Sequence, residues 1–310
     1  MAAPRHQTIL IVGGRTGIGS HVVDAIRSGH GASNTNIVTY GLDESGKFMP
    51  EIPFSVDSDF SLACHPGDVT SPASREKVVQ YCVEKYGGID TLVYCAGVIT
   101  PIARIEKMNM EAVKKAFDVN VFGAMAMVLS TSFASSLPPH QPKRPTYNPA
   151  LYESIIDLPQ VQLCLPYLRQ SRISTPLNAA HGKIIILTSA CDADVTYHGW
   201  TPYCTTKAAL TRFISCIAHE EPLLSVQGVY PKLTRTKMPE DVINGKYKGV
   251  MADHEIERFR IWNEMGDEMV EPPEWCGEAV AKLAVGLFEG GKSGETLYYD
   301  EHVPKKIKGT

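Results

Sequence analysis

The run TILIV at residues 8–12 leads directly into GGRTGIGSHVV. Five β-branched or apolar residues with no alternation fit a strand covered on both faces, as in a parallel sheet. Parallel strands need long crossovers, and Ile18, Val22 and Ile26, at helical spacing before Gly29, supply the first one. Between strand and helix lie Gly13, Gly17 and Gly19. Gly13 can make the tight turn, and Gly17 and Gly19 let backbone approach a pyrophosphate at the positive end of the helix.

The alternation continues. NIVTY (36–40), IDTLVYCAG (89–97), GKIIILTS (182–189) and LLSVQGVYP (223–231) read as strands, separated by helical runs at 72–86, 109–120, 202–218 and 273–289. This pattern predicts an α/β chain with a doubly wound, Rossmann-type parallel sheet and helices on both faces, as a single domain over 1–310. Residues 41–60 should hold a crossover helix, but Pro50, Pro53 and the absence of a helical period argue against a long one.

Composition narrows the function classes. With 310 residues, 44% of them apolar, the chain can bury a large core. A net charge of −4 without a basic stripe argues against nucleic acid. No apolar run approaches the roughly 18 residues of a membrane helix. The N-terminus enters a strand almost at once, so no signal peptide is expected. Eight scattered cysteines without zinc-type spacing read as free thiols in the cytosol, with no metal site.

TPYCTTKAALTRFISCIAHE (201–220) reads as a helix with Tyr203 and Lys207 four apart on one face. To act near neutral pH, a tyrosine hydroxyl needs its pKa lowered by about 3 units. A lysine one turn away and a nearby cofactor cation are the charges that supply this. Ser189 ends KIIILTS at the carboxyl edge, where open α/β sheets hold ligands, and Asn120 is polar amid apolar neighbours in AFDVNVFG.

These residues, in this order, make the chain resemble the short-chain dehydrogenase/reductase family, in its branch with a GxxxGxG loop and a YxxxK active site. The resemblance runs from Thr8 to about Asp300. It includes GDV at 67–69, CAG at 95–97, NVFG at 120–123, YPKLTRT at 230–236 and GETLYYD at 294–300. It implies an NAD(P)-dependent enzyme that passes a hydride between the nicotinamide and a carbonyl or alcohol carbon. Tyr203 would exchange the proton, Ser189 would hold the substrate oxygen, and Lys207 would lower the tyrosine pKa and bind ribose. Asn120 would hold a water in the proton relay. Gly13, Arg15, Gly17, Ile18, Gly19, Asp68, Val69, Ala96, Gly97 and Thr236 would join Asn120, Tyr203 and Lys207 in contacting the cofactor. The chain departs from the family at Val12, at Lys232 and at Cys95, which replaces an asparagine and is expected to loosen the central strand. The Ser189–Tyr203 spacing is also one residue longer than the commonest one.

NADP(H) is favoured over NAD(H). Tyr40 and Gly41 stand where an acid would bind the ribose 2′-hydroxyl, and Arg15 can meet a 2′-phosphate. Residues 237–272 carry methionines, Tyr247, Phe259 and Trp262, and read either as an adaptable lid over an apolar ketone or alcohol or as a helix pair packed on the sheet. A homo-oligomer is the family's habit.

Residues 128–160 contain SSLPPHQPKRPTYNPA and interrupt a helix that the family uses for subunit contact. NVFGAMAM would join VQLCLPYLRQ smoothly without those 33 residues. One reading is an in-frame intron translated into the chain, since valine codons begin GT and one glutamine codon ends AG. The other is a surface insertion, whose closure costs roughly 3 kcal/mol beyond a constant. With it comes an alternative function: a non-catalytic dinucleotide-binding protein, disabled or given a partner surface by the insertion.

Overall fold

The computed structural model describes residues 6–29, 34–42, 60–128, 163–171 and 182–304. Seven parallel strands run in the order β3-β2-β1-β4-β5-β6-β7. They are β1 (Gln7–Val12), β2 (Thr35–Gly41), β3 (Phe60–Pro66), β4 (Thr91–Tyr94), β5 (Lys183–Leu187), β6 (Ser225–Tyr230) and β7 (Thr296–Tyr298). Strand β1 pairs with β2 and β4, so the order reverses beside it. At such a reversal the crossovers diverge and leave a crevice beyond the strands' carboxyl ends.

Because successive side chains alternate across a strand, β1 feeds two cores. Ile9 and Ile11 pack with helix α1 (Gly17–Arg27) and the late helix Pro273–Val285. Leu10 and Val12 pack on the other face, against α2 (Pro72–Tyr86). All four side chains are fully buried, which is why β1 shows no polar alternation. Helix α2 starts where expected because the Ser71 hydroxyl accepts the Ser74 amide and Pro72 opens the first turn; Gly87, at φ 82°, ends it. Strand β3 is not signalled by the sequence pattern. It is an edge strand, and FSLACHP ends in a proline, which sheets confine to edges, strand ends and bulges. The crossover anticipated within 41–60 lies largely outside the described residues.

Cys95 does not loosen the central strand: its amide donates to the Val12 carbonyl at 2.8 Å, extending the β1–β4 pairing by one rung. The helical run 109–120 divides. Helix α3 (Met110–Phe117) starts at Asn109, whose side chain accepts the Ala112 amide; a π turn (Asp118–Phe122) follows, and then α4 (Gly123–Val128).

The next described helix is α5 (Leu165–Gln170). Residues 129–160 of the insertion lie outside the described residues, but its flanks are informative. The Cys164 amide donates to the Met127 carbonyl at 3.1 Å. Leu163, Cys164, Leu165 and Leu168 enter the same core as Met127 and Val128. Cys164 lies 37 residues beyond Met127, four more than the 33 of the insertion. The bond is therefore the one an uninterrupted α-helix would make.

Helix α6 (Thr201–Glu220) follows β5, and α7 (Lys237–Ile243) and α8 (Asp253–Glu264) follow β6. In and between α7 and α8, Val242, Tyr247, Met251, Ile256 and Phe259 form a third core with Trp200 and Tyr203. Among the described residues no helix is long and apolar enough to cross a membrane.

Candidate active site

A cavity of about 530 Å³ opens beyond the carboxyl ends of β4, β5 and β6. Ile18, Gly97, Ser189, Tyr203, Lys207 and Thr236 all line it. Ser189 leaves β5 in extended conformation and caps a short 3-10 turn, its hydroxyl accepting the Cys191 amide at 3.2 Å. Tyr203 and Lys207 project from the first two turns of α6, with the Lys207 ammonium 5.6 Å from the Tyr203 ring centre. Lys207 Nζ donates to the Leu187 carbonyl at 3.0 Å, which ties the helix to the end of β5.

Burial pushes the Tyr203 phenol well above its usual pKa, the neighbouring Cys191 adds to the rise, and a hydrogen bond with Ser189 opposes it. Burial also lowers Lys207 to about 8. In the chain alone, the lowering of Tyr203 expected from Lys207 is thus outweighed by desolvation. Tyr203 is a protonated acid at neutral pH.

Asn120 is fully buried at the centre of the π turn. Its Oδ1 accepts the Val98 amide at 2.7 Å, and Nδ2 donates to the Val98 carbonyl at 2.8 Å and to Thr206 Oγ1 at 2.9 Å. Both amide hydrogens are committed, so the side chain fixes the loop after β4 and has no donor left for a relay water. Gly97 threads the gap beside it: a Cβ there would lie 3.5 Å from Asn120 Oδ1 and 3.7 Å from Lys207 Nζ.

The glycine loop behaves in part as anticipated. Gly13, at φ 79°, takes the turn and packs on Ala96, whose amide nitrogen would lie 2.6 Å from a Cβ. Gly19 is also required by the loop itself: its Cβ would fall 2.1 Å from the Gly13 carbonyl oxygen, so the loop's own backbone excludes a side chain. Only Gly17 faces open space: its φ is 53°, and a Cβ on it would lie 4.0 Å from Thr236 Cγ2. Asp68 and Val69 follow β3; Asp68 Oδ1 accepts from the Thr70 amide and hydroxyl, both at 2.8 Å, and Val69 is buried. Tyr40 turns inward, donating to the Asp68 carbonyl at 2.9 Å, so it offers nothing to a ribose.

The short chain dehydrogenase sequence profile matches this chain over residues 7–134 and 161–246. The chain belongs to the short-chain dehydrogenase family. The stretch between the two matched segments, 135–160, falls within the insertion. A benzil reductase ((S)-benzoin forming) of Saccharomyces cerevisiae is 26% identical over 309 residues, covering 98% of this chain and 99% of that protein. An uncharacterized oxidoreductase of the same yeast is 24% identical over 299 residues, covering 95% and 96%. Among solved structures, a short-chain dehydrogenase/reductase from S. cerevisiae superposes with a TM-score of 0.69 at 21% identity, covering 95% of this chain and 96% of that one. The protein is therefore an oxidoreductase of this family, whose members use NAD(P)(H).

The site suits such a dinucleotide. Thr16, the N-cap of α1, makes no side-chain bond to the first turn, leaving the helix's positive end uncapped by it. Arg15 Nη1 is buried yet has no hydrogen-bond partner among the described residues. A buried guanidinium nitrogen without an acceptor carries a desolvation cost that an anionic oxygen would offset.

Several site residues carry no signal in the sequence. Tyr197 and Trp200, in TYHGW before α6, line the cavity. His198 and Glu255 join that loop to α8: Glu255 accepts the His198 ring nitrogen at 2.9 Å and the Ala252 amide at 3.0 Å. Burial opposes ionisation of Glu255, but the bonds from His198 and Ala252 outweigh it and hold the carboxyl below its usual range. Lys232, the departure after the late proline, pairs with Asp300 and lies 3.9 Å from the buried Glu271. Glu271 also takes Leu233 and Arg235 as backbone partners, closing the base of segment 237–272. Lone charges and aromatics give no such pairing in sequence, because the partners lie 57 and 39 positions apart.

Proposed function

We propose that this enzyme reduces an apolar ketone, or oxidises the matching secondary alcohol, with NADP(H). The observation that carries the proposal is the convergence of Ser189, Tyr203 and Lys207 on one cavity whose remaining wall is mostly apolar. The nicotinamide, when bound, supplies or accepts the hydride. Ser189 Oγ holds the substrate oxygen, and the protonated Tyr203 donates to it as negative charge develops. Lys207 binds ribose hydroxyls and adds positive charge beside the phenol. Asn120 fixes the 97–98 loop against α6 and, as the family resemblance implies, holds a relay water, toward which its side chain can only accept. Thr236 and Ile18 flank the nicotinamide end, and Gly13, Gly17, Gly19, Ala96 and Gly97 shape the dinucleotide channel. Asp68 and Val69 border the adenine.

The NADP(H) reading is supported by Arg15, whose buried Nη1 has no partner among the described residues, and by Gly41 at the end of β2, where an acid would bind a ribose 2′-hydroxyl; Asp43, two places later, lies outside the described residues. Segment 237–272 closes over the substrate, with Met238, Phe259 and Trp262 on the cavity wall. Relatives named for reducing benzil and diacetyl suit an uncharged carbonyl substrate.

The test combines binding with turnover. NADPH should quench protein fluorescence more tightly than NADH, and Tyr203→Phe should slow ketone reduction by about 10²–10⁴-fold with NADPH affinity unchanged. Equal turnover by Tyr203→Phe, or NADPH binding with no carbonyl turnover by the wild type, would overturn the reductase assignment and favour the non-catalytic alternative.

A further inference from the structure

The wall of the cavity that faces the reacting oxygen is not merely apolar. From Tyr203, an unbroken chain of rings runs outward: Trp200 meets Tyr203 edge-on at 5.7 Å, Tyr197 lies 4.7 Å from Trp200, Phe259 5.1 Å from Tyr197, and Trp262 5.5 Å from Phe259. Trp200, Phe259, Tyr197 and Trp262 all line the cavity; Trp200 and Phe259 form a buried back rank, whereas Tyr197 and Trp262 are only partly buried. The back rank is held in place: Trp200 Nε1 donates to Met251 Sδ at 3.3 Å, so its indole carries no unsatisfied donor into the site. Trp262 is held from outside by the Arg258 guanidinium, 5.9 Å from its ring. His198 and Glu255 lock the loop bearing Tyr197 and Trp200 to the helix bearing Phe259 and Trp262. The two partly buried rings are thus fixed relative to each other and to Tyr203, with Phe259 wedged between them.

We propose that Tyr197 and Trp262 form an aryl subsite, selecting carbonyl substrates that carry an aromatic ring next to the carbonyl, with Trp262 as the specificity-determining residue. This rests on the reductase reading above and adds the substrate class. Fixed π faces reward another π system through offset or edge-on contacts, beyond what burial of area gives. A saturated ring of the same size gains the area and not those contacts. Preorganisation by the His198–Glu255 tie means that little is spent on ordering the wall when the substrate arrives.

Acetophenone and cyclohexyl methyl ketone test this, since they share a skeleton and differ in ring saturation. Their intrinsic reactivities differ, so the readout is the change in their kcat/KM ratio between the wild type and Trp262→Leu, with Tyr197→Leu as the second variant. Each substitution should lower the aryl-to-cyclohexyl ratio roughly tenfold, the size of one aromatic pair contact. Binding provides a readout that needs no chemistry. In the NADPH-bound enzyme, 1-phenylethanol should bind more tightly than 1-cyclohexylethanol, and Trp262→Leu should remove the difference. Ratios and affinities that move by less than about twofold in both folded variants would overturn the aryl subsite while leaving the reductase reading intact. Selective alcohol binding without turnover of either ketone would instead strike the reductase reading and keep the subsite.

Discussion

Removing Val128–Gln160 should stabilise this protein. The Cys164 amide already bonds the Met127 carbonyl across the insertion, and Leu163, Cys164 and Leu168 already share a core with Met127. In the deleted chain Cys164 becomes the fourth residue after Met127, and α4 and α5 become one helix in the register they already hold. What is lost is the closure entropy of a 33-residue loop, about (3/2)RT ln 33 or ~3 kcal/mol. For a chain of this size 1 kcal/mol corresponds to roughly 2–4 °C in Tm, so a rise of about 6–12 °C is expected by calorimetry. NADPH binding should be unchanged, since Asn120 and the π turn lie before the junction. Register supplies the internal control. Deleting one residue more or fewer would rotate α5 by about 100° and turn Leu168 out of the core. Those two variants should therefore melt below the 33-residue deletion. An unchanged or lower Tm for the 33-residue deletion, or equal stability for all three, would refute the continuous-helix argument. We also propose that these codons are a retained intron: sequencing of mature transcripts should find a spliced form lacking codons 128–160, and their presence in every transcript would leave the insertion as part of the protein.

Arg15→Ala should weaken NADPH by about 10–100-fold, the loss of one charge-assisted bond to phosphate, and leave NADH affinity within about twofold; equal losses for both would remove Arg15 from the 2′-phosphate site. Lys207 titrates near 8 because burial disfavours its charge. Its positive charge beside Tyr203 is therefore present below that pH and lost above it, so kcat/KM for reduction should hold in neutral buffer and fall above pH ~8. A profile flat to pH 10 would contradict this. The same group acts on stability with the opposite sign. Its folded-state pKa lies below the unfolded value, so its penalty is complete below about 8 and is relieved as pH rises toward ~10.4.

The alternation of apolar runs with helical periods determined the layers and the parallel sheet, because burial on both faces leaves a strand no polar position to alternate. The helix start at Ser71–Pro72 and the stop at Gly87 were legible because caps act within one turn. Gly13, Ser189, Tyr203 and Lys207 were legible too, since each sits where a strand ends or a helix begins and the spacing alone puts them at one sheet edge. Edge strand β3 was not, because within residues 61–66 only Leu62 and Ala63 are buried and its run is broken by a serine, a histidine and a proline. Nor could the sequence show that Gly19 is excluded from bearing a side chain by the Gly13 carbonyl, or that Asn120 spends its whole amide on Val98 and Thr206. It placed Tyr203 and Lys207 one turn apart, but only the packing of Trp200 and β5 around them decided that burial, rather than the lysine charge, governs the phenol. The same holds for the ring chain from Tyr203 to Trp262 and for the bond from Cys164 to Met127. Local order is written in neighbouring residues, whereas desolvation and long-range pairing exist only once the chain has folded.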